Sequence, residues 1–418
     1  MTEMNYYTTP SESARNILIA NDRGGYTIPT SGLYPYQWNW DSAVAALGFA
    51  EFDIDRAWIE LETLFSGQWD DGMVPHILFH KPDPGYFPGP DVWGGTGPIA
   101  SSGVTQPPLA ATMARRVWDK DRAAGEARLR TLFPAMLAWH RWFMAWRLDE
   151  HGAVCTTHPW EAGRDNAPDW DGAMAGIDAS DVGEYQRRDT SHVNSADRPT
   201  KYDYDRYIKL VQIGREVGWD QQKLLDLNPF RVADPTMSFT TLRAARDLLV
   251  ISEELGIEAE GLSADVALLE DGALSLWNES LGAFDARDAH TGEWAESVSN
   301  ASYLCWYAGI QSPQMLDRVK IVLTTVPHPI PSYDPNMPKF DERRYWRGPT
   351  WAFMNMLAGF GLEEMGHGVE AEALRLKTAR LIAGHGFAEY YDPITGSPAG
   401  GNSFTWTAAV WLHWAGRN

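Results

Sequence analysis

Residues 237–277 read MSFTTLRAARDLLVISEELGIEAEGLSADVALLEDGALSLW. Apolar side chains recur at helical spacing on both sides of Gly256. The stretch therefore predicts two helices, 237–255 and 257–277, broken at a glycine that lets the chain turn back. The same period continues outward. Toward the N-terminus it marks 204–217, 129–148, the run from Pro107-Pro108 through Val117-Trp118, and 54–64. Toward the C-terminus it marks 300–310, 313–323, 351–364 and 369–383. Glycine pairs such as Gly359/Gly361 and Gly366/Gly368 read as punctuation at helix ends. No alternating strand run, exact repeat or low-complexity linker interrupts the series. The expectation is an all-α chain with one helical domain over 1–418. Two long stretches rich in Gly, Pro and aromatics, 72–105 and 156–200, separate the helices. Segments of that length without regular structure are usually functional or disordered. Their aromatic content favours insertions that form a lid over one face.

The 418 residues carry a net charge of −21, and 22% of them are charged. A nucleic acid or an anionic membrane would be repelled by that mean field. No apolar run reaches the roughly 18 residues that a spanning helix needs. The first residues lack a basic segment followed by an apolar one, so the expected location is the cytoplasm. Cys155 and Cys305 fit no disulfide framework and no metal pattern, so neither a metal nor another cofactor is expected. Nothing in the composition decides between a monomer and a homo-oligomer. The unusual quantity is 20 Trp, many with polar neighbours. A residue among hydrocarbons needs no such neighbours, whereas a pocket that stacks on a polar ring does.

Four clusters concentrate these residues. The first runs from Tyr34 through Trp38, Trp40 and Asp41. Aromatic faces suit the C–H faces of a sugar, and a carboxylate accepts from its hydroxyls. The plain alternative is that Asp41 caps a helix starting near Ser42. The second, 158–171, packs Glu161, Asp165, Asp169 and Asp171 among tryptophans. A carboxyl desolvated beside tryptophan keeps its proton and can serve as a general acid; the alternative is a solvated acidic loop. The third holds Glu389 at a helix end in an aromatic setting, where a carboxylate could activate water or simply be a surface charge. The fourth joins Trp346 and Trp351 across a Gly-Pro turn into a helix, as a cleft edge or as packing around a helix start. Asp41, Asp165 and Glu389 stand out as acids among aromatic loops. Glycoside hydrolysis needs two carboxyls, and residue physics alone does not say which two.

The motifs Trp38-Asn39-Trp40-Asp41-Ser42, Glu161-Ala162-Gly163-Arg164-Asp165-Asn166-Ala167-Pro168-Asp169-Trp170, Trp346-Arg347-Gly348-Pro349-Thr350-Trp351 and Glu389-Tyr390-Tyr391-Asp392-Pro393-Ile394-Thr395-Gly396 resemble those of the (α/α)6-barrel glycoside hydrolases, the clan with trehalase and processing α-glucosidase I. Within it the chain is most similar to the short bacterial family 63 enzymes that hydrolyse mannosylglycerate and glucosylglycerate. The resemblance runs from Tyr34 to Thr407 and implies an (α/α)6 barrel and an inverting mechanism. It casts Asp165 as general acid and Glu389 as general base, with carboxyls about 6.5–9.5 Å apart. By the same resemblance Tyr34, Trp38, Trp40, Asp41, Trp346 and Trp351 would meet the sugar, and His76 and Gln106 lie in loops similar to substrate loops. Arg198 would fork onto the glycerate carboxylate, Tyr204 would add a hydroxyl, and Tyr86 would close over the ligand. The alternative for Arg198 is an ion pair with Asp197 or Asp203. One departure is Arg164, beside the acid in sequence; its side chain must point away if Asp165 is to keep its proton.

Other readings remain at this level. An α-glucosidase or α-mannosidase for another small glycoside keeps the fold and changes the leaving group. A sugar isomerase or epimerase would want a histidine pair that the aromatic motifs lack. A non-catalytic carbohydrate-binding protein would keep the tryptophans without needing both Asp165 and Glu389.

Overall fold

The computed structural model describes residues 8–95, 97–189 and 193–417. Twelve helices carry the frame: α1 (Pro10–Asn21), α2 (Asn39–Phe49), α3 (Ile54–Phe65), α4 (Ala110–Lys120), α5 (Arg122–Trp146), α6 (Lys201–Glu216), α7 (Pro235–Leu255), α8 (Leu262–Leu274), α9 (Pro313–Thr325), α10 (Ala352–Glu364), α11 (Gly368–His385) and α12 (Thr405–Val410). Five of them, with the short 3-10 turn Asn300–Leu304, form an inner ring. In that ring α2 packs on α4, α4 on α7, α7 on the turn, the turn on α10, α10 on α12, and α12 back on α2. Each inner member has an outer partner: α3, α5, α8, α9, α11 and α1 in the same order. The closed ring of six pairs is the (α/α)6 barrel.

Local chemistry explains the elements. Asp234 caps α7 by accepting from the Met237 amide, Pro235 opens the helix, and Gly256 ends it in the left-handed region (φ 62°). All 11 residues of α2 are buried, as expected for a helix enclosed on every side. The outer helix α3 is amphipathic instead, burying Trp58, Leu61, Leu64 and Phe65.

Three sequence expectations change. The helix predicted over 257–277 begins at Leu262, after Gly261 at φ 82°. The helix predicted over 300–310 is a single 3-10 turn, Asn300–Leu304. Gly359 and Gly361 do not end a helix; they lie inside α10. A Cβ on Gly361 would stand 2.1 Å from the Tyr307 amide nitrogen, so this glycine lets α10 press against the backbone just after that turn. Among the described residues no helix is long and apolar enough to cross a membrane.

Strands are two residues long and serve to pin loops. Gln37–Trp38 pairs with Ile77–Leu78. Cys155–Thr156 pairs with Val232–Ala233, and Tyr390–Tyr391 with Pro398–Ala399. The segments so pinned lead into the inner helices, and they line one cavity.

Candidate active site

A cavity opens where these segments converge. Tyr34, Trp38, Trp40, Asp41, His76, Tyr86, Gln106, Asp165, Arg198, Tyr204, Trp346 and Glu389 all line it. Trp351 does not. It is fully buried and stacks beneath Trp346, with ring centres 3.8 Å apart and planes 5° from parallel. The turn at Gly348-Pro349 folds the second indole under the first, so Trp351 supports the wall instead of forming it.

The first wall is knitted by backbone. Asn39 donates to the His76 carbonyl (3.0 Å) and His76 to that of Val104 (2.8 Å). The Gln106 Oε1 accepts from the Trp40 amide (3.1 Å). Asp41 sits in the first turn of α2 behind the cap residue Trp38, so it is not the helix cap. Burial, then the nearby Glu389 charge, pushes its carboxyl well above the usual range. Its Oδ1 is buried and has no partner among the described residues. The Trp346 Nε1 is likewise buried and without a partner among them. The cavity thus offers one acceptor and one donor to the hydroxyls of a ligand. His76 bonds to Ser102 through Nδ1 (2.6 Å), and burial holds its pKa well down, leaving a neutral ring.

The structure sorts the four acids of the 158–171 cluster. Glu161 pairs with Arg147 (2.8 Å), both fully buried, and accepts from the Thr157 amide (2.7 Å). Asp169 takes Arg164 (3.0 Å) and the hydroxyls of Ser297 and Ser299 (3.0 and 3.1 Å). Asp171 takes Lys339 (2.8 Å) and Arg347. Asp165 alone of the four has a carboxyl with no cation and no side-chain hydrogen bond among the described residues, and it faces the cavity. Burial raises its pKa to about 7, with Arg198 opposing the rise. Arg164 points away, into a pocket where Asp169 and Asp234 (2.9 Å) share it. Gly163 (φ 69°) lets this turn approach Trp40; a Cβ would stand 2.3 Å from the indole.

Glu389 is not at a helix end. It lies four residues past α11, at the start of the Tyr390–Tyr391 strand, and is 1% exposed. Its Oε1 accepts from Tyr34 (2.8 Å), Tyr345 (3.2 Å) and Arg198 (3.5 Å). Its Oε2 accepts from the Gly401 amide (2.8 Å). Four donors therefore hold the two carboxyl oxygens in place.

Arg198 pairs with neither Asp197, which takes Arg343, nor Asp203, which accepts from the Thr200 amide in the capping box of α6. It is 4% exposed. It donates to Asp189 (3.2 Å), Tyr34 (2.8 Å) and Glu389, and its guanidinium lies 3.8 Å from the Tyr345 ring centre. The Tyr204 hydroxyl reaches the Phe87 carbonyl (3.4 Å).

Sequence reasoning misses Asp189, Arg188 and Tyr345 as lining residues. Tyr345 adjoins a motif whose tryptophans draw the reading. Arg187-Arg188-Asp189, a charge cluster inside a long aromatic loop, is the available signal. Arg188 pairs with Asp83, and Phe87 stacks on Tyr185 (5.0 Å). These contacts join the 72–105 and 156–200 stretches.

The mannosylglycerate hydrolase MGH1-like glycoside hydrolase domain matches residues 34–407. The mannosylglycerate hydrolase MGH1 of Selaginella moellendorffii is 44% identical, over 96% of this chain and 85% of that protein. The glucosylglycerate hydrolase of Mycolicibacterium hassiacum is 34% identical, over 98% of both. The crystal structure of a family 63 mannosylglycerate hydrolase from Thermus thermophilus, in complex with Tris and D-glycerate, superposes with a TM-score of 0.94 at 39% identity, covering 97% of this chain and 99% of that one. The chain therefore belongs to the mannosylglycerate hydrolase MGH1-like glycoside hydrolases of family 63.

Proposed function

We propose that this enzyme hydrolyses the α-glycosidic bond of mannosylglycerate or glucosylglycerate with inversion at the anomeric carbon. The observation that carries this reading is the pair of carboxyls of opposite character on one cavity. Asp165 has no side-chain partner among the described residues and burial raises its pKa to about 7, whereas Glu389 accepts four hydrogen bonds. Protonated Asp165 gives its proton to the leaving-group oxygen as the C–O bond breaks. Glu389 takes a proton from the water that attacks the anomeric carbon from the other face. Asp41 and the Trp346 indole N–H receive hydroxyls of the sugar under attack, and the neighbouring aromatic faces stack on its ring.

The leaving-group carboxylate falls to Arg198. Its guanidinium lines the cavity while donating to Asp189, Tyr34 and Glu389. Relatives named for the glycerate glycosides of both sugars, and one crystallised with D-glycerate, support the same leaving group. The 72–105 and 156–200 stretches, joined by Asp83–Arg188 and Phe87–Tyr185, act as the cover.

The test is hydrolysis of 2-O-α-mannosylglycerate and 2-O-α-glucosylglycerate by wild type and Asp165→Ala, following the released sugar by NMR. The β-anomer should appear first, and the substitution should abolish turnover. First appearance of the α-anomer would remove the inverting mechanism. Absence of turnover by folded wild type would remove the substrate.

A further inference from the structure

Because the Asp165 carboxyl bonds to no other side chain among the described residues, its aim is set by its main chain. That main chain is a tight turn. The Ala167 amide donates to the Arg164 carbonyl (3.0 Å), which makes Asp165 and Asn166 the two central residues. Three donors from elsewhere hold the turn, one on each successive residue. The Trp170 indole donates to the Arg164 carbonyl (2.7 Å). The Tyr207 hydroxyl donates to the Asp165 carbonyl (2.7 Å). The Trp346 amide donates to the Asn166 Oδ1 (3.0 Å). Trp170 belongs to the same loop and Trp346 to the sugar wall. Tyr207 comes from α6, the helix that follows Arg198 and carries Tyr204. We propose that Tyr207 is the positioning residue for the acid, fixing Asp165 against the helix that serves the leaving group. This rests on the roles given above to Asp165 and Arg198, and adds a residue that does not itself line the active-site cavity.

Tyr207 is held at both ends. It is fully buried and packs on Trp160 and Tyr204, with ring centres 5.5 and 5.8 Å apart. Its carbonyl accepts from the His158 Nε2 (3.0 Å), while the His158 Nδ1 accepts from the Trp160 amide (3.0 Å). That pair of bonds puts the ring proton on Nε2. The segment bearing the acid is thus joined to α6 twice, at His158 and at Asp165, through the main chain and the hydroxyl of one tyrosine. Residues three apart on a helix share a face, so Tyr204 and Tyr207 lie one above the other. Tyr204 lines the cavity, and Tyr207 reaches the acid's carbonyl. Proton donor and leaving group are registered on one helix face.

The Asp165 carbonyl accepts no other hydrogen bond among the described residues. Without the hydroxyl, the peptide after Asp165 is free to tilt, and the carboxyl tilts with it. General acid catalysis needs the proton within hydrogen-bond reach of the leaving-group oxygen. A shift on the order of 1 Å is enough to cost about 10²-fold in rate. The loss falls on protonation of the leaving group, because the tie from Asn166 to Trp346 still holds the sugar wall.

The experiment compares wild type with Tyr207→Phe, which keeps the ring and the bond from His158 and removes only the hydroxyl. Two substrates of one sugar are used: the 2-O-α-glycosylglycerate that wild type turns over, and the matching α-glycosyl fluoride, whose leaving group needs little protonation. On the glycerate compound kcat should fall about 10–100-fold, with KM within about twofold of wild type. On the fluoride kcat should fall by less than about threefold. Tyr207→p-aminophenylalanine, which places an N–H donor at the same point, should recover most of the lost rate. An equal loss on both substrates, a loss carried by KM alone, or no recovery with the amino ring would overturn the role of Tyr207 and leave the substrate reading intact. Loss of folding in Tyr207→Phe, read by tryptophan fluorescence, would assign the hydroxyl to stability and overturn the proposal as well. A folded wild type inactive on both glycerate compounds would overturn the substrate reading and this inference with it.

Discussion

Asp165→Asn should make the protein more stable than wild type at pH 8 by a margin that nearly vanishes at low pH. The carboxyl's pKa is raised from 3.8 to about 7 on folding, chiefly by burial. Below pH 3.8 both folded and unfolded chains hold the proton, and the shift has no effect on stability. Between 3.8 and about 7 the unfolded chain ionises while the folded one does not, so stability falls as pH rises. Above 7 the full penalty persists. A span of about three pH units at 1.36 kcal/mol each gives an upper value of about 4 kcal/mol. Between pH 5 and pH 8 the part read out is about 2–3 kcal/mol, because only the span from 5 to 7 contributes. Asparagine has the shape of the protonated acid and no charge to bury. Urea unfolding of both proteins at the two pH values, followed by tryptophan fluorescence, measures the difference of differences. The variant should also lose about 10²–10⁴ in kcat on a substrate with a poor leaving group. A stability difference of equal size at pH 5 and pH 8, or one larger at pH 5, would refute the desolvated-acid assignment.

Trp351→Ala should cost about 3–5 kcal/mol of unfolding free energy and raise KM, because Trp346 loses the ring it stacks on at 3.8 Å; a loss of stability without a KM change would show that Trp346 holds its place unaided. Arg164→Met leaves Asp169 and Asp234 buried against each other and should cost about 3–5 kcal/mol by denaturant titration. Asp41→Asn should fold normally, since Oδ1 has no partner among the described residues to lose, yet raise KM about tenfold or more by changing the group that meets the sugar hydroxyls; an unchanged KM would place Asp41 outside the sugar contacts.

The outer helices α3 and α11 are legible because one face of each is wet, and their predicted bounds follow from that; the outer helix α1 is not among the predicted segments. The inner helices α4, α7 and α10 are read by the same period, although all but the last two residues of α10 are buried. The turn at 300–304 carries helical spacing without forming an α-helix, and α12 shows no period that marks it. Glycine misleads for a related reason: inside α10 it marks the close approach of another backbone, and a sequence does not distinguish that from a helix end. In the site, residue types and motifs locate the aromatic walls. They do not rank Glu161, Asp165, Asp169 and Asp171, which differ only in their partners. Arg147, Lys339 with Arg347, and Arg164 settle three of them. None of those pairings leaves a trace in local spacing.

The position of Arg164 bears on more than the acid it adjoins. Its partner Asp234 is also the cap of α7, so the turn carrying Asp165 is tied to the start of that helix. Glu389 is tied differently: its carbonyl accepts from the Trp406 indole at 3.1 Å, and the neighbouring Ala388 carbonyl from Thr407 at 2.6 Å, both in α12. Around the ring the order is α2, α4, α7, the 300–304 turn, α10 and α12. The third and sixth members of a ring of six stand opposite each other. The two carboxyls are thus tied to opposite staves of the barrel. For the proposed acid Asp165 and base Glu389, that anchorage suits the fixed spacing an inverting hydrolase needs across one sugar ring.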